Sequence, residues 1–95
     1  MFVQVVTFEE SPEQLEAGIE HVREDVVPVL ADAKGVVGLW VVDRERGKRL
    51  SIMVWDSDEA YQAGLKALAE WRAQGPDHPR PTPTSVEQFE LYARV

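Results

Sequence analysis

"VVGLWVVDRERGKRLSIMVWDSDEA", residues 36–60, contains two apolar runs, a charged reversal and the opening of a helix. Residues 36 to 43 (VVGLWVVD) and 49 to 56 (RLSIMVWD) are rich in β-branched and aromatic side chains, which suit a pleated, partly buried surface. Between them, Arg44-Glu45-Arg46-Gly47-Lys48 supplies a glycine for the positive φ of a hairpin. The two runs are predicted to pair antiparallel. Asp56-Ser57-Asp58-Glu59 then offers a cap and first-turn acids that suit the positive end of a helix dipole. The bulkiest side chain of the stretch, Trp55, stands where strand turns into helix.

The flanking segments complete a pattern. Upstream, residues 2 to 8 (FVQVVTF) read as a strand that is apolar on both faces. Ser11-Pro12-Glu13-Gln14 gives an N-cap, a proline in the first turn and a capping-box glutamine. Leu15, Ile19, Val22, Val26, Val29 or Leu30, and Ala33 follow at helical spacing. Pro28 removes a backbone donor, so a kink or early end is expected there, and Gly35 stops the helix. Downstream, Ala60, Tyr61, Gly64, Ala67, Leu68 and Trp71 form the apolar arc of a second helix. Gly75-Pro76 ends it. The stretch to Thr84 (GPDHPRPTPT) reads as an extended surface connection, and residues 85 to 94 as a half-buried last strand with Phe89, Leu91 and Ala93 on one face.

The order β-α-β-β-α-β predicts an α+β, ferredoxin-like sandwich in one domain, residues 1–95, with two helices on one face of a four-stranded antiparallel sheet. The first three strands carry apolar residues on both parities, which two helices cannot cover. Each Val, Ile or Leu left in water forgoes about 1.5–3 kcal/mol, against a total stability of about 5–15 kcal/mol. A homodimer packed sheet to sheet into a barrel is therefore expected.

Composition narrows the partners. The 95 residues hold 17 acidic and 10 basic side chains, a net charge of -7, and no cysteine. Nucleic acid and anionic membrane are disfavoured by charge. Disulfides and thiolate chemistry are excluded, and the two histidines have no metal-ligand spacing. The opening MFVQVVTFEE has neither a basic region nor a long apolar run, so a cytoplasmic address is the expectation.

The layout, Pro28 late in the first helix, "GVVGLWVVDRERGKRLSIMVW" and the "WDSDEAYQA" junction resemble the dimeric α+β-barrel superfamily, in its antibiotic-biosynthesis-monooxygenase-like branch. The resemblance implies that Trp55 lines a cavity between sheet and helices that takes a small aromatic ligand, the alternative being that Trp55 plugs the end of the core; Gln4 is a further pocket candidate, and Tyr61 and Trp71, on the apolar face of the second helix, read as core or as the aromatic lining such a pocket would need. It implies a cofactor-independent oxidation of a small aromatic or polyketide-like compound, or a non-catalytic dimeric binding module of the same fold. No cofactor is implied. Active members use an asparagine on the first strand, whereas this chain contains none, and Gln4 is the only amide there. Haem-degrading members ligate iron through a histidine of the second helix, and residues 57 to 74 contain none.

The remaining polar residues read as structural. His21 lies off the apolar stripe of its helix and is expected in solvent; His78 falls in the proline-rich connection. The acids of 56 to 59 are expected to cap a helix, and the Arg44-to-Arg49 cluster to form a solvated hairpin tip.

Overall fold

A computed structural model describes residues 1–74 and 82–95. Four strands, β1 (Phe2–Glu9), β2 (Val36–Asp43), β3 (Lys48–Trp55) and β4 (Ser85–Glu90), form one antiparallel sheet in the order β2-β3-β1-β4. Central β1 and β3 pair from Phe2 opposite Trp55 to Glu9 opposite Lys48. This is the ferredoxin-like α+β arrangement that the element order predicts. Gly47 takes φ 62° at the β2–β3 reversal, where a Cβ would stand 2.6 Å from the Glu10 carbonyl oxygen. Only glycine fits both conditions.

Two helical arms cross one face of the sheet. The first begins at α1 (Pro12–His21), with Ser11 and Gln14 exchanging side-chain-to-backbone hydrogen bonds in a complete capping box. It passes through a π-helical turn, Val22–Val26, into α2 (Val27–Ala31). The expected kink or early end at Pro28 is replaced by this turn. Val27 N–H donates to the Val22 carbonyl, five residues back, so the wider coil is already established where proline withdraws its own donor. Gly35, at φ 76°, makes the turn into β2. The second arm is α3 (Asp58–Gln74), where the Ser57 hydroxyl accepts from Ala60 N–H at 3.1 Å as the cap.

Strand parity assigns every sheet residue to a face. The helix-covered face carries Phe2, Gln4, Val6 and Phe8 of β1 beside Trp55, Met53, Ser51 and Arg49 of β3. Leu30, Met53 and Trp55 form the buried core, with Phe2, Val26, Trp40, Tyr61 and Leu68 packed around it. The opposite face aligns Val37–Val54–Val3–Phe89 and Leu39–Ile52–Val5 in rows across the sheet. No part of the chain covers those rows among the described residues, and Leu39 stays 58% exposed.

Two expectations are corrected. The last strand ends at Glu90 rather than 94, because Glu90 already pairs with Phe2, the first residue of β1, and beyond it only Met1 remains, whose carbonyl accepts from Leu91 N–H at a long 3.5 Å. Phe89, expected on the buried side of a half-buried strand, is 50% exposed on the open face beside Val3. Residues 75–81 of the proline-rich connection, His78 among them, lie outside the described residues.

Candidate functional site

A cavity of about 320 Å³ lies between the sheet and the two helical arms. Its floor is the helix-covered face: Gln4, Val6 and Phe8 from β1, Arg49, Ser51, Met53 and Trp55 from β3, and Trp40 from β2. One wall is the first arm, through His21, Val22, Val26 and Leu30, and the other is α3, through Leu65, Leu68 and Arg72. Two helices on a four-stranded sheet diverge enough to leave this space, and the π turn contributes Val22 and Val26 to its edge. The lining is aromatic and aliphatic with a few polar groups set into it, the usual composition of a small-molecule site.

Trp55 anchors one end. It is 2% exposed, and its indole lies directly on Gly64 of α3, where a Cβ would stand 2.4 Å from Cη2 of the ring. Glycine at 64 therefore makes room for the largest side chain in the core. Tyr61 meets the indole edge-on at 5.4 Å, and Phe2 meets Tyr61 at 5.3 Å, so the ring is held from behind by aromatic contacts. The indole Nε1–H is buried with no acceptor among the described residues. Trp40 of β2 lies over Gly38, which leaves its own strand flat enough for the indole to cross.

The four residues singled out from the sequence thus separate. Gln4 and Trp55 line the cavity. Tyr61 backs Trp55 rather than facing the space, and Trp71 packs against His21 with ring centroids 5.8 Å apart.

Arg49 anchors the other end, contrary to the reading of 44 to 49 as a solvated tip. Arg44 and Arg46 are exposed and pair with Glu16 and Asp43. Arg49, however, shares the parity of Ser51, Met53 and Trp55 and points beneath the helices. It is 5% exposed; one guanidinium nitrogen donates to Glu10 at 2.9 Å, and the guanidinium carbon stands 4.2 Å over the Phe8 ring. Gly18 of α1 admits it, since a Cβ there would stand 2.7 Å from the guanidinium. The Arg49 Nε and the second Glu10 oxygen are buried without partners among the described residues. Removing either member of such a pair alone costs about 3–5 kcal/mol, because a buried charge is left behind.

His21 also departs from its expected place in solvent. Its side chain is 24% exposed, its Nδ1 lies 2.9 Å from an Asp25 oxygen, and it lines the cavity. The arm packs against α3 as well as the sheet, so its covered arc is wider than the stripe facing the sheet. Parity with Trp55 and Gln4 would have found Arg49 and Ser51 in the sequence. No local signal marks His21.

Fold and cavity together define an α+β protein of the ferredoxin-like kind with a ligand-sized space between sheet and helices, the fold of the antibiotic-biosynthesis-monooxygenase-like proteins. Among solved structures, the haem-degrader MhuD of Mycobacterium tuberculosis, with two haems in its active site, aligns over 100% of this chain and 99% of its own, with a TM-score of 0.72 and 19% identity. The monooxygenase ActVA-Orf6 of Streptomyces coelicolor, in complex with nanaomycin D, aligns over 99% and 89%, with a TM-score of 0.70 and 20% identity. SnoaB, a cofactor-independent oxygenase of Streptomyces nogalater, aligns over 98% and 92%, with a TM-score of 0.55 and 18% identity. By sequence, two uncharacterised proteins of Mycobacterium tuberculosis are similar: one is 33% identical over 76% of this chain and 31% of its own length, the other 29% identical over 98% and 42%. The chain therefore spans less than half the length of these relatives. No protein-family profile matches it. Among the described residues, no helix is long and apolar enough to cross a membrane.

Proposed function

We propose that the cavity binds a planar aromatic compound of two or three fused rings and that the protein oxidises it with dioxygen without a cofactor. The observation that carries this reading is the cavity of about 320 Å³ whose sheet floor is built from Trp55, Trp40, Phe8 and Met53, with Gln4 among them. That volume is at the small end of ligand pockets, which run from roughly 300 to 1,000 Å³, and suits fused aromatic rings better than a porphyrin. The resemblance to SnoaB and ActVA-Orf6 supports the choice of reaction.

The chemistry asks little of the protein. A ring CH₂ made acidic by a neighbouring carbonyl loses a proton, and the resulting anion passes electrons to dioxygen. Conversion of CH₂ to C=O releases four electrons; dioxygen accepts them, placing one oxygen in the product and the other in water. No external reductant is needed. Trp55 would orient the ring by stacking, and Gln4 would hold an oxygen substituent through a hydrogen bond. Excluding water from an apolar cavity strengthens that contact.

The open sheet face supports a homodimer as the working form, with residues 1–95 acting as one unit of the fold. The rows of that face leave Val37, Leu39, Val41 and Phe89 between 47% and 58% exposed. A standard interface covers about 800 Å² on each partner.

A second reading, binding without turnover, is favoured by the absence of asparagine, the residue the resemblance would place on β1. Two measurements separate the two. With Trp40 and Trp71 replaced by phenylalanine, dihydroxynaphthalenes and anthrone are expected to quench Trp55 emission saturably, and Trp55→Phe to weaken their binding. Anthrone is further expected to be consumed with one equivalent of dioxygen. Saturable quenching without oxygen uptake would establish the binding module, and a panel giving no saturable response would overturn both.

A further inference from the structure

Among the described residues, the permanently charged groups that line the cavity are both arginines. Arg49 and Arg72 line it beside His21, and among the described residues no aspartate or glutamate does, although acids outnumber bases 17 to 10 in the chain. The two carboxylates nearest these groups stand outside the lining: Glu10 pairs with Arg49 and Asp25 with His21, each at 2.9 Å. Arg49 is the most enclosed of the three. Its guanidinium is sandwiched between the Phe8 ring and the Gly18 backbone, and its Nε is buried without an acceptor among the described residues.

Building on the proposed reading of the cavity as a small-molecule site, we infer that the ligand is an aromatic anion, a ring bearing a carboxylate or phenolate, whose charged oxygen is received at the Arg49 end while the ring runs toward Trp55. The net charge of -7 opposes an anion at long range, but exposed charges are screened beyond about 8–10 Å at physiological salt. A guanidinium donor that is itself 5% exposed and in direct contact with the anion is screened far less. The local arginine therefore decides the preference. The planar fork of Arg49 has one edge on Glu10, and its face is fixed by Phe8, so it enters the complex already oriented and loses little freedom on binding. Arg72 at the exposed rim adds attraction along the entrance.

The test uses 2-naphthoate and its neutral amide, 2-naphthamide, titrated into the intact protein by calorimetry. The native protein is expected to bind naphthoate at least about tenfold more tightly than naphthamide, as a charge-assisted hydrogen bond in place of a neutral one predicts. Glu10→Gln combined with Arg49→Gln removes both charges of the pair, so that neither is left buried alone, and is expected to bring naphthoate down to the affinity of the amide. Arg72→Gln, at an exposed position, is expected to lower naphthoate affinity about twofold to fivefold, within the range for a rim charge. Equal affinities of the two compounds for the native protein would overturn the inference and leave the aromatic-binding reading standing. A preference that survives in the folded double variant would overturn the assignment to Arg49. If the double variant does not fold, the native ratio still decides whether the ligand is an anion, and loss of that ratio in Arg49→Lys, which keeps the charge but not the fork, decides the residue. Binding of neither compound would overturn this inference and the aromatic-binding reading together.

Discussion

Trp55 and Gly64 illustrate how one contact can set a site. The indole fills the end of the core because residue 64 has no Cβ, and it defines the cavity wall for the same reason. Gly64→Ala places a methyl group within 2.4 Å of the ring as it stands, so the indole must shift. The expected result is a loss of about 1–3 kcal/mol in chemical denaturation, typical of overpacking, with altered Trp55 emission in the background where Trp40 and Trp71 are phenylalanine. The opposing preference of a helix for alanine over glycine is worth only about 1 kcal/mol. Unchanged stability and emission would overturn the assignment of the ring's position to Gly64. Arg49 and Gly18 repeat the device at the other end of the cavity.

The first helical arm is stabilised mainly at its start. Ser11 and Gln14 satisfy each other's backbone donors, and Ser11→Ala is expected to cost about 0.5–2 kcal/mol, read as a lowered midpoint of thermal unfolding. Further along, Glu16 on α1 accepts from Arg44 of the β2–β3 reversal at 2.8 Å. That hydrogen bond holds the Glu16 carboxyl below its ordinary value and raises Arg44. A carboxyl whose folded-state value is depressed adds stability that is complete above its unfolded value and is lost as the pH falls through the folded one. The pair is fully exposed, so the effect is small and screened by salt. Glu16→Gln is expected to lower the melting temperature slightly at neutral pH and low ionic strength and to leave it unchanged at acid pH, where the native carboxyl is already protonated, so that the variant loses less stability on acidification. The π turn that precedes Pro28 belongs to the same scale: the arm bends its coil rather than ending, and so reaches the cavity edge with Val22 and Val26.

For the molecule as a whole, the open face of the sheet is the feature a lone chain leaves unresolved. Leu39 is 58% exposed and lies in a row with Ile52 and Val5. Were the chain monomeric, Leu39→Asp would be a surface change worth no more than about 0.5 kcal/mol. With a second copy on this face, the same change buries a charge at a symmetric contact and acts twice. Light scattering at micromolar concentration is therefore expected to give a dimer for the native chain and a monomer for Leu39→Asp. A well-folded native monomer at that concentration would overturn the sheet-to-sheet arrangement.

Local patterning in the sequence determined the elements and their order. The two apolar runs about Gly47, the Ser11 capping box and the acids after Trp55 act through nearest neighbours, and the number and order of strands and helices then leave few ways to close the sheet. The same alternation placed Gln4 and Trp55 on one face and a second apolar set on the other. Only the tertiary structure decided what fills the space between the layers. Strand parity puts Arg49 on the face of Trp55, but only the fold turns that end of the face under α1 and brings Glu10, distant in sequence, against it. His21 reads as a solvent residue until α3 packs beside its helix and widens the covered arc, and Tyr61 and Trp71, on the right face of α3, are taken up by Trp55 and His21. The end of β4 was likewise set by where β1 begins. Each of these depends on which distant segment lies opposite, and a period of two or of 3.6 residues specifies a face but not the neighbour that meets it.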